Sequence, residues 1–394
     1  MLRFRRADYK KKASVSKVAV MKLPFHYEEL VDRVWAALHT GPHQHDVALI
    51  SKGFSCDIVD GLSDIDLRLL FDTASSEVWD WVDEATSRVF IDFAHEHPDS
   101  WRIVEHTAGR GAVMDELHYP AMANERLEWE LLYEDRPGMV PASTATDERV
   151  QNLYLEKFFA YREPYDARRD PPINIAAVDG DRFSLFSVCW HYYAPALRCA
   201  AVASGRNDVR SKRDALRWRA ESVDDVAAFV MRAAEDGFRQ PVGDVAARCS
   251  EDILDVAGEV AGADDPWRSI AMRLSTAEPS QAEQLALAAM SGRMVRGRWQ
   301  YYIDSPEGFD VAGVLRIDRG HLNTYLVGPV LAGTGREILR GHAPDVDRHD
   351  ASVDFLMAQH RETDPSKPRE AFRLVREHYS VVRQAIDRWY ASES

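Results

Sequence analysis

Residues 50–71, reading ISKGFSCDIVDGLSDIDLRLLF, constrain the fold more than any other part of the chain. They start at the end of one apolar run, 47–50, and finish in another, 65–71. Short apolar runs bounded by turn residues read as buried strands. Between the runs stand Gly53 and Gly61, which admit backbone angles that other residues avoid. Asp64 and Asp66 alternate with Ile65 and Leu67 at the mouth of the second run. On extended backbone, side chains at i and i+2 share a face. The two carboxylates therefore point together while Ile65 and Leu67 point into a core, and paired hard oxygens of this kind suit Mg²⁺.

The flanking pattern predicts an α/β domain, a mixed sheet flanked by helices, over 26–140. Leu30, Val31, Val34, Trp35 and Leu38 recur at helical spacing and predict a helix over 26–39, stopped by Gly41 and Pro42. Val78, Val82, Ala85, Val89 and Phe93 predict a second helix, ended by Pro98. A third strand is expected at 102–106. A fourth alternates Leu127, Trp129, Leu131 and Tyr133 with Glu128, Glu130 and Leu132, giving one apolar and one mostly acidic face. After a Pro- and Gly-bearing linker, helices are predicted over 147–163, 182–204, 211–220, 222–236, 244–262, 280–296 and 368–391. Between 297 and 367 a strand at 301–303 and a broken helix over 311–331 are expected. The organisation read from this is a basic N-terminal arm (1–25), the α/β domain (26–140), a helical domain (146–296) and a mainly helical C-terminal extension (297–394).

The chain carries 49 Lys and Arg against 64 Asp and Glu, a formal charge of −15. Such a surface repels phosphate backbones, so a small and cationic partner is expected rather than a nucleic acid. The arm is the exception, with Arg3, Arg5, Arg6, Lys10, Lys11 and Lys12. Cys56, Cys189, Cys199 and Cys249 show no CxxC spacing and read as reduced thiols of a cytoplasmic protein. No apolar run reaches the roughly 18 residues of a membrane span, so no membrane partner is expected.

A strand, a Gly/Ser turn and then Ser63-Asp64-Ile65-Asp66-Leu67 resemble the signature of the DNA polymerase β-type nucleotidyltransferase superfamily. Phe54 stands where that signature has Ser, with Ser55 one place later. The resemblance implies that Gly53, Phe54, Ser55 and Ser63 hold the phosphates of an NTP, with ATP the expected donor. It implies that Asp64 and Asp66 bind one or two Mg²⁺ ions, and that a third carboxylate on a later strand completes the metal site or takes a proton. Glu128, in Arg126-Leu127-Glu128-Trp129-Glu130, is similar to that residue in streptomycin/spectinomycin adenylyltransferases, with Glu130 as the alternative. Neighbouring carboxylates are expected to raise the pKa of Glu128. A second likeness to the same adenylyltransferases runs from Leu197-Arg198 to Ser211-Lys212 and Trp218. It implies that Lys212 reaches the nucleotide from the helical domain.

The function so implied is transfer of a nucleoside monophosphate to a hydroxyl of a small, aminoglycoside-like molecule, with release of pyrophosphate. Two alternatives stand beside it. One is a toxin-type or tRNA-modifying nucleotidyltransferase that uses the basic arm, and the other is an inactive nucleotide-sensing module. Lesser candidates are His43 with His45 as metal ligands and the aromatic run 189–193 as a stacking surface. Asp57, Asp60, Glu105 and Asp115 are candidates for a cationic acceptor pocket.

Overall fold

The computed structural model describes residues 25–43, 45–98, 107, 110–118, 122, 125–165, 180–220, 225–274, 281–306, 309, 311–316, 341 and 346–393. The basic arm, but for Phe25, lies outside them, as do the strand expected at 102–106 with Glu105 and the part of the 311–331 helix beyond 316.

The first region is α/β. Helix α1 (Phe25–Leu38) buries Tyr27, Leu30, Val34 and Leu38, the stripe that its spacing predicts. Strand β1 (Val47–Lys52), β2 (Leu67–Phe71), helix α2 (Ser76–Glu96), β3 (Arg110–Val113) and β4 (Trp129–Glu134) follow. The sheet is mixed, in the order β3-β2-β1-β4. β1 runs antiparallel to both neighbours, and β2 runs parallel to β3. β3 was not foreseen, because four residues reading RGAV are too few to show a period. The expectation of one apolar face on β4 is corrected. Register slips between Leu49 and Ile50, which pair with Tyr133 and Leu131, so Leu132 is an extra residue. Leu132 and Tyr133 pack with α1 and α2, whereas Trp129 and Leu131 pack on the other side of the sheet.

The middle of the chain is helical: α3 (Glu148–Phe159), α4 (Gly180–Phe186), α5 (Ala194–Ala203), α6 (Lys212–Arg219), α7 (Val226–Glu235), α8 (Val245–Ala261) and α9 (Pro266–Leu274). A π-helical turn, Ser187–Tyr193, joins α4 to α5. It carries the aromatic run 189–193, in which Trp190 and Tyr193 are fully buried core, while His191 is half-buried and lines a cleft beside Asp64 and Asp66. Trp190, Tyr193, Leu197, Phe158 and Phe238 belong to one cluster of their own.

The C-terminal stretch returns to the first region. Helices α10 (Gln281–Asp304), α11 (Val311–Arg316), α12 (Val346–Ala358) and α13 (Ser366–Glu393) follow in order. Trp299, Tyr301, Phe372 and Tyr379 share one cluster with Tyr27, Leu30, Trp79 and Phe90. The strand expected at 301–303 is therefore a helix. Tyr301, Tyr302 and Ile303 are all buried and read locally as a short apolar run, whereas the less buried face of the helix, Arg293, Arg296, Gln300 and Asp304, lies mostly before them. Helices α9 and α12 were not foreseen. Among the described residues no helix is long and apolar enough to cross a membrane.

Where α10 crosses α2, a Cβ on Gly297 would lie 3.1 Å from the carbonyl oxygen of Asp83. Asp83 is buried at this crossing, and neither carboxylate oxygen has a hydrogen-bond partner among the described residues. Burial pushes its carboxyl well above the usual range, against the pull of Arg383 and Arg296. The folded protein thus holds a proton that the unfolded chain releases above about pH 4. Stability on this account falls as pH rises from about 4. Replacing Asp83 by Asn should raise the melting temperature at pH 8, and the gain should shrink toward pH 4. Thermal melts across that range check it, and a lower melting temperature for Asp83→Asn at pH 8 would contradict it.

Candidate active site

At the end of β1 the chain turns at Gly53, whose φ of 103° excludes most side chains, and a Cβ there would meet nothing within 4 Å. Backbone hydrogen bonds tie this turn on both sides. The Lys52 N–H donates to the Asp66 carbonyl (2.7 Å), and the Gly53 N–H donates to the Glu128 carbonyl (2.7 Å). Asp64 and Asp66 are half-buried, while Ile65 and Leu67 are buried, which is the alternation read from the sequence. Both acids precede β2 instead of lying within it, since pairing starts at Leu67. Ser63 is fixed from two sides: its Oγ accepts the Val59 N–H (3.0 Å), and its carbonyl accepts the Tyr27 hydroxyl (2.5 Å).

These residues open onto a cleft of about 210 Å³. Gly53, Phe54, Ser63, Asp64, Asp66, Glu128 and Lys212 all line it, so seven of the eight expected site residues come together. The eighth, Ser55, does not line it. The Ser55 N–H and Oγ donate to the Glu130 carboxylate at 2.5 and 3.1 Å. The expectation that Ser55 faces the phosphates is therefore corrected. Glu130 faces a separate cleft of about 730 Å³ that also includes Phe54. Burial pushes the Glu130 carboxyl up, against the hydrogen bonds from Ser55.

Glu128 is buried, and cations surround it. Lys157 Nζ is 2.8 Å from Oε1, an Arg198 guanidinium nitrogen 3.0 Å from Oε1 and Lys52 Nζ 3.7 Å from Oε2. The Tyr154 hydroxyl donates to Oε1 at 3.0 Å. Burial alone would raise this carboxyl, but Lys157, Arg198 and Lys52 outweigh it and hold it well below the usual range. The expected rise is thus reversed, because the nearby charges are cations. At this cleft no set of three or more candidate ligands, among the described residues, has its ligand atoms within 4.8 Å of one another. In this arrangement Glu128 belongs to the cations and not to the Asp pair.

Lys212 begins α6, which Ser211 and Asp214 close with a capping box. The N-terminal amides of α6 are taken: those of Lys212 and Arg213 donate to the Asp57 carboxylate at 2.8 and 3.2 Å. Trp190 Nε1 donates to the Asp57 carbonyl (2.7 Å). Asp57 thus occupies this helix terminus. The Lys212 side chain still lines the cleft. Burial lowers its pKa; Asp57 opposes this, Arg198 adds to it, and Asp64 and Asp66 oppose it. Its ammonium is thus within electrostatic reach of the Asp pair.

Lys52, Arg198, Lys157 and Tyr154 were not among the expected site residues. Arg198 left a signal: it sits among Ala196, Leu197, Cys199 and Ala200, and a charge on an apolar helix face needs a buried partner. Asp57 lines the cleft as the helix cap, while Asp60 and Asp115 are exposed and outside its lining. His45 pairs with Asp72 (3.0 Å) and His43 lies beside Trp81. All four cysteines are free thiols.

Compared with models of protein families, with curated proteins and with solved structures, the chain finds no match in any of the three.

Removing the charge of Glu128 strands Lys157 and Arg198 beside a neutral amide. Breaking a buried ion pair from one side costs roughly 3–5 kcal/mol. Glu128→Gln should therefore lower the unfolding free energy by an amount of that order, measured by urea titration. A loss below about 1 kcal/mol would show that the cations find other partners.

Proposed function

We propose that the chain is a Mg²⁺-dependent nucleotidyltransferase of the DNA polymerase β type, moving a nucleoside monophosphate from an NTP to a hydroxyl of a small molecule. One observation carries this reading. Around the Gly53 turn a single cleft is lined by a half-buried Asp pair together with Lys52, Arg198 and Lys212. Carboxylates and cations in one cleft are what a metal-bound polyphosphate requires. The Asp64 and Asp66 oxygens are hard donors that line the cleft, with Asp66 Oδ1 also 3.5 Å from the guanidinium of the buried Arg68, and as a carboxylate pair they fit Mg²⁺. Bound there, Mg²⁺ would neutralise phosphate charge and polarise the reacting phosphoryl group.

The chain's own residues would do the rest. Gly53 leaves room for the phosphates to approach the backbone. Lys212 and Lys52 would offset the charge that builds on the departing pyrophosphate. The acceptor oxygen bonds to the α-phosphorus, the bond to the β-phosphate oxygen breaks, and the acceptor proton leaves on the open side of the cleft at the Asp64–Asp66 carboxylates. Glu128 is assigned no proton, since the cations around it hold its carboxyl ionised. Its part is to fix Arg198, Lys157 and Lys52.

The acceptor would bind in the 730 Å³ cleft, which meets the phosphate cleft at Phe54. Three acids line it: Glu130, engaged by Ser55, Asp214, engaged by Ser211 and Arg217, and the exposed Glu28. Arg126, Arg210 and Arg217 line it as well. Arg126 Nε is buried with no hydrogen-bond partner among the described residues, and the Arg210 guanidinium stands 5.5 Å over the Phe54 ring. With Glu28, Glu130 and Asp214 balanced by Arg126, Arg210 and Arg217, this lining suits a polar acceptor of mixed or no charge better than the polycationic aminoglycoside that the family resemblance implies. A second reading, a nucleotide sensor without turnover, is favoured by Ser55 being drawn to Glu130 instead of the phosphates. Pyrophosphate release separates the two.

With NTP, Mg²⁺ and a panel of hydroxyl acceptors, the protein should release pyrophosphate, and Asp64→Asn and Asp66→Asn should each abolish the release. Lys212→Ala should weaken NTP binding or slow transfer about tenfold to a hundredfold, or ~1.4–2.7 kcal/mol, with an unchanged melting temperature. Near wild-type turnover in either Asn variant would sink the Asp-pair assignment. Unchanged NTP affinity and turnover in Lys212→Ala would remove the lysine from it.

A further inference from the structure

Helix α1 presents His26 and Glu29 three residues apart, and so on one face. The end of α2 delivers His97 to the same place. His97 is the residue that closes α2, its N–H donating to the Phe93 carbonyl at 2.9 Å. One ligand atom from each of His26, Glu29 and His97 lies within 4.8 Å of the other two, and all three side chains are half-buried. Among the described residues no other set of three candidate ligands converges in this way.

We propose that His26, Glu29 and His97 form a binding site for a borderline transition-metal cation of the zinc class, apart from the Asp64–Asp66 cleft. The donor chemistry selects the ion: two imidazoles and one carboxylate suit Zn²⁺, whereas Mg²⁺ prefers oxygen donors alone. The spacing fits as well. Two ligands each about 2.0–2.1 Å from a tetrahedral ion stand about 3.3 Å apart. His97 Nε2 and Glu29 Oε2 are already 3.5 Å apart, and that nitrogen is buried without a hydrogen bond among the described residues. A ring nitrogen of His26 lies within 4.8 Å of a donor atom of each of the other two.

The surrounding groups hold the ligands in the manner of an outer shell. Arg33 takes the other Glu29 oxygen, Oε1, at 2.5 Å, which turns Oε2 toward His97. Arg33 also bonds to Glu96 Oε2 at 2.7 Å, one residue before His97. Phe93 packs on both imidazoles, with centroids 4.6 Å from His97 and 6.4 Å from His26. An ion here would clamp the start of α1 to the end of α2. Tyr27, next to His26, donates its hydroxyl to the Ser63 carbonyl, so the clamp also bears on the residue before Asp64.

The experiment is calorimetric titration of ZnCl₂ into the chelator-treated full chain in excess Mg²⁺, with thermal melts on the same samples. The wild type should bind Zn²⁺ and melt at a higher temperature with it. The His26→Ala and His97→Ala variants, at half-buried positions, should fold as judged by circular dichroism and lose at least about tenfold in Zn²⁺ affinity, together with the thermal gain. Asp64→Asn/Asp66→Asn should keep this Zn²⁺ binding, which separates the site from the cleft. Co²⁺ should give visible d–d absorption in the wild type that both His variants lose. Absence of Zn²⁺ binding by the wild type, or equal affinity in the His26→Ala/His97→Ala double variant, would overturn the proposal.

Discussion

A single buried carboxylate organises the middle of this molecule. Glu128 sits at the tip of the sheet, and the groups around it come from three parts of the chain: Lys52 from β1, Tyr154 and Lys157 from α3, and Arg198 from α5. Charges of this kind stay buried only when opposite charges and hydrogen bonds compensate them. One anion therefore makes it possible for several cations to crowd into a small space. Burial works against the charge of the nearly enclosed Arg198, but Glu128, together with Tyr154, Cys199 and Asp57, more than offsets that cost, and Arg198 keeps its proton. The positive side of the cleft exists because Glu128 is there to assemble it.

Asp57 does a second, parallel job. Its carboxylate receives the first amides of α6 and its carbonyl receives Trp190 Nε1. The sheet region and the helical core are thus sewn together by polar contacts at the rim of the same cleft. Apolar packing joins them as well, since Val59, Leu62 and Leu127 of the first region lie in the helical cluster. Directional bonds at Asp57 and Glu128 fix the distance from Lys212 to the Asp pair, which is the quantity on which charge neutralisation in the cleft depends.

Much of this was legible, for identifiable reasons. The alternation of Asp64 and Asp66 with Ile65 and Leu67 is local, and it survives folding unchanged. Gly53 is legible because its conformation excludes most other residues. Lys212 was placed by the likeness of its segment to the adenylyltransferases, and Ser211 before it is a residue that caps helices. What failed depended on partners distant in sequence. Ser55 turned to Glu130, 75 residues on. Glu128 was read among acids, yet its charge is set by Lys157 and Arg198, which sequence spacing cannot bring to it. The bulge at Leu132 depends on a slip in β1, and no pattern within β4 reports it.

The return of the last helices to the first core has a consequence for how the chain acquires its shape. Tyr27, Leu30 and Phe90 lie against Trp299, Tyr301, Phe372 and Tyr379, residues that are made some 200 to 350 positions later. The opening α/β segment therefore leaves the ribosome with an apolar face that nothing yet covers. The helical middle has its own cluster and can condense while that face waits. Contacts of such long range are slow to form, and the waiting surface is open to aggregation. Final closure around α1 and α2 must be a late event in synthesis, so a chain halted before α13 would expose the same surface permanently.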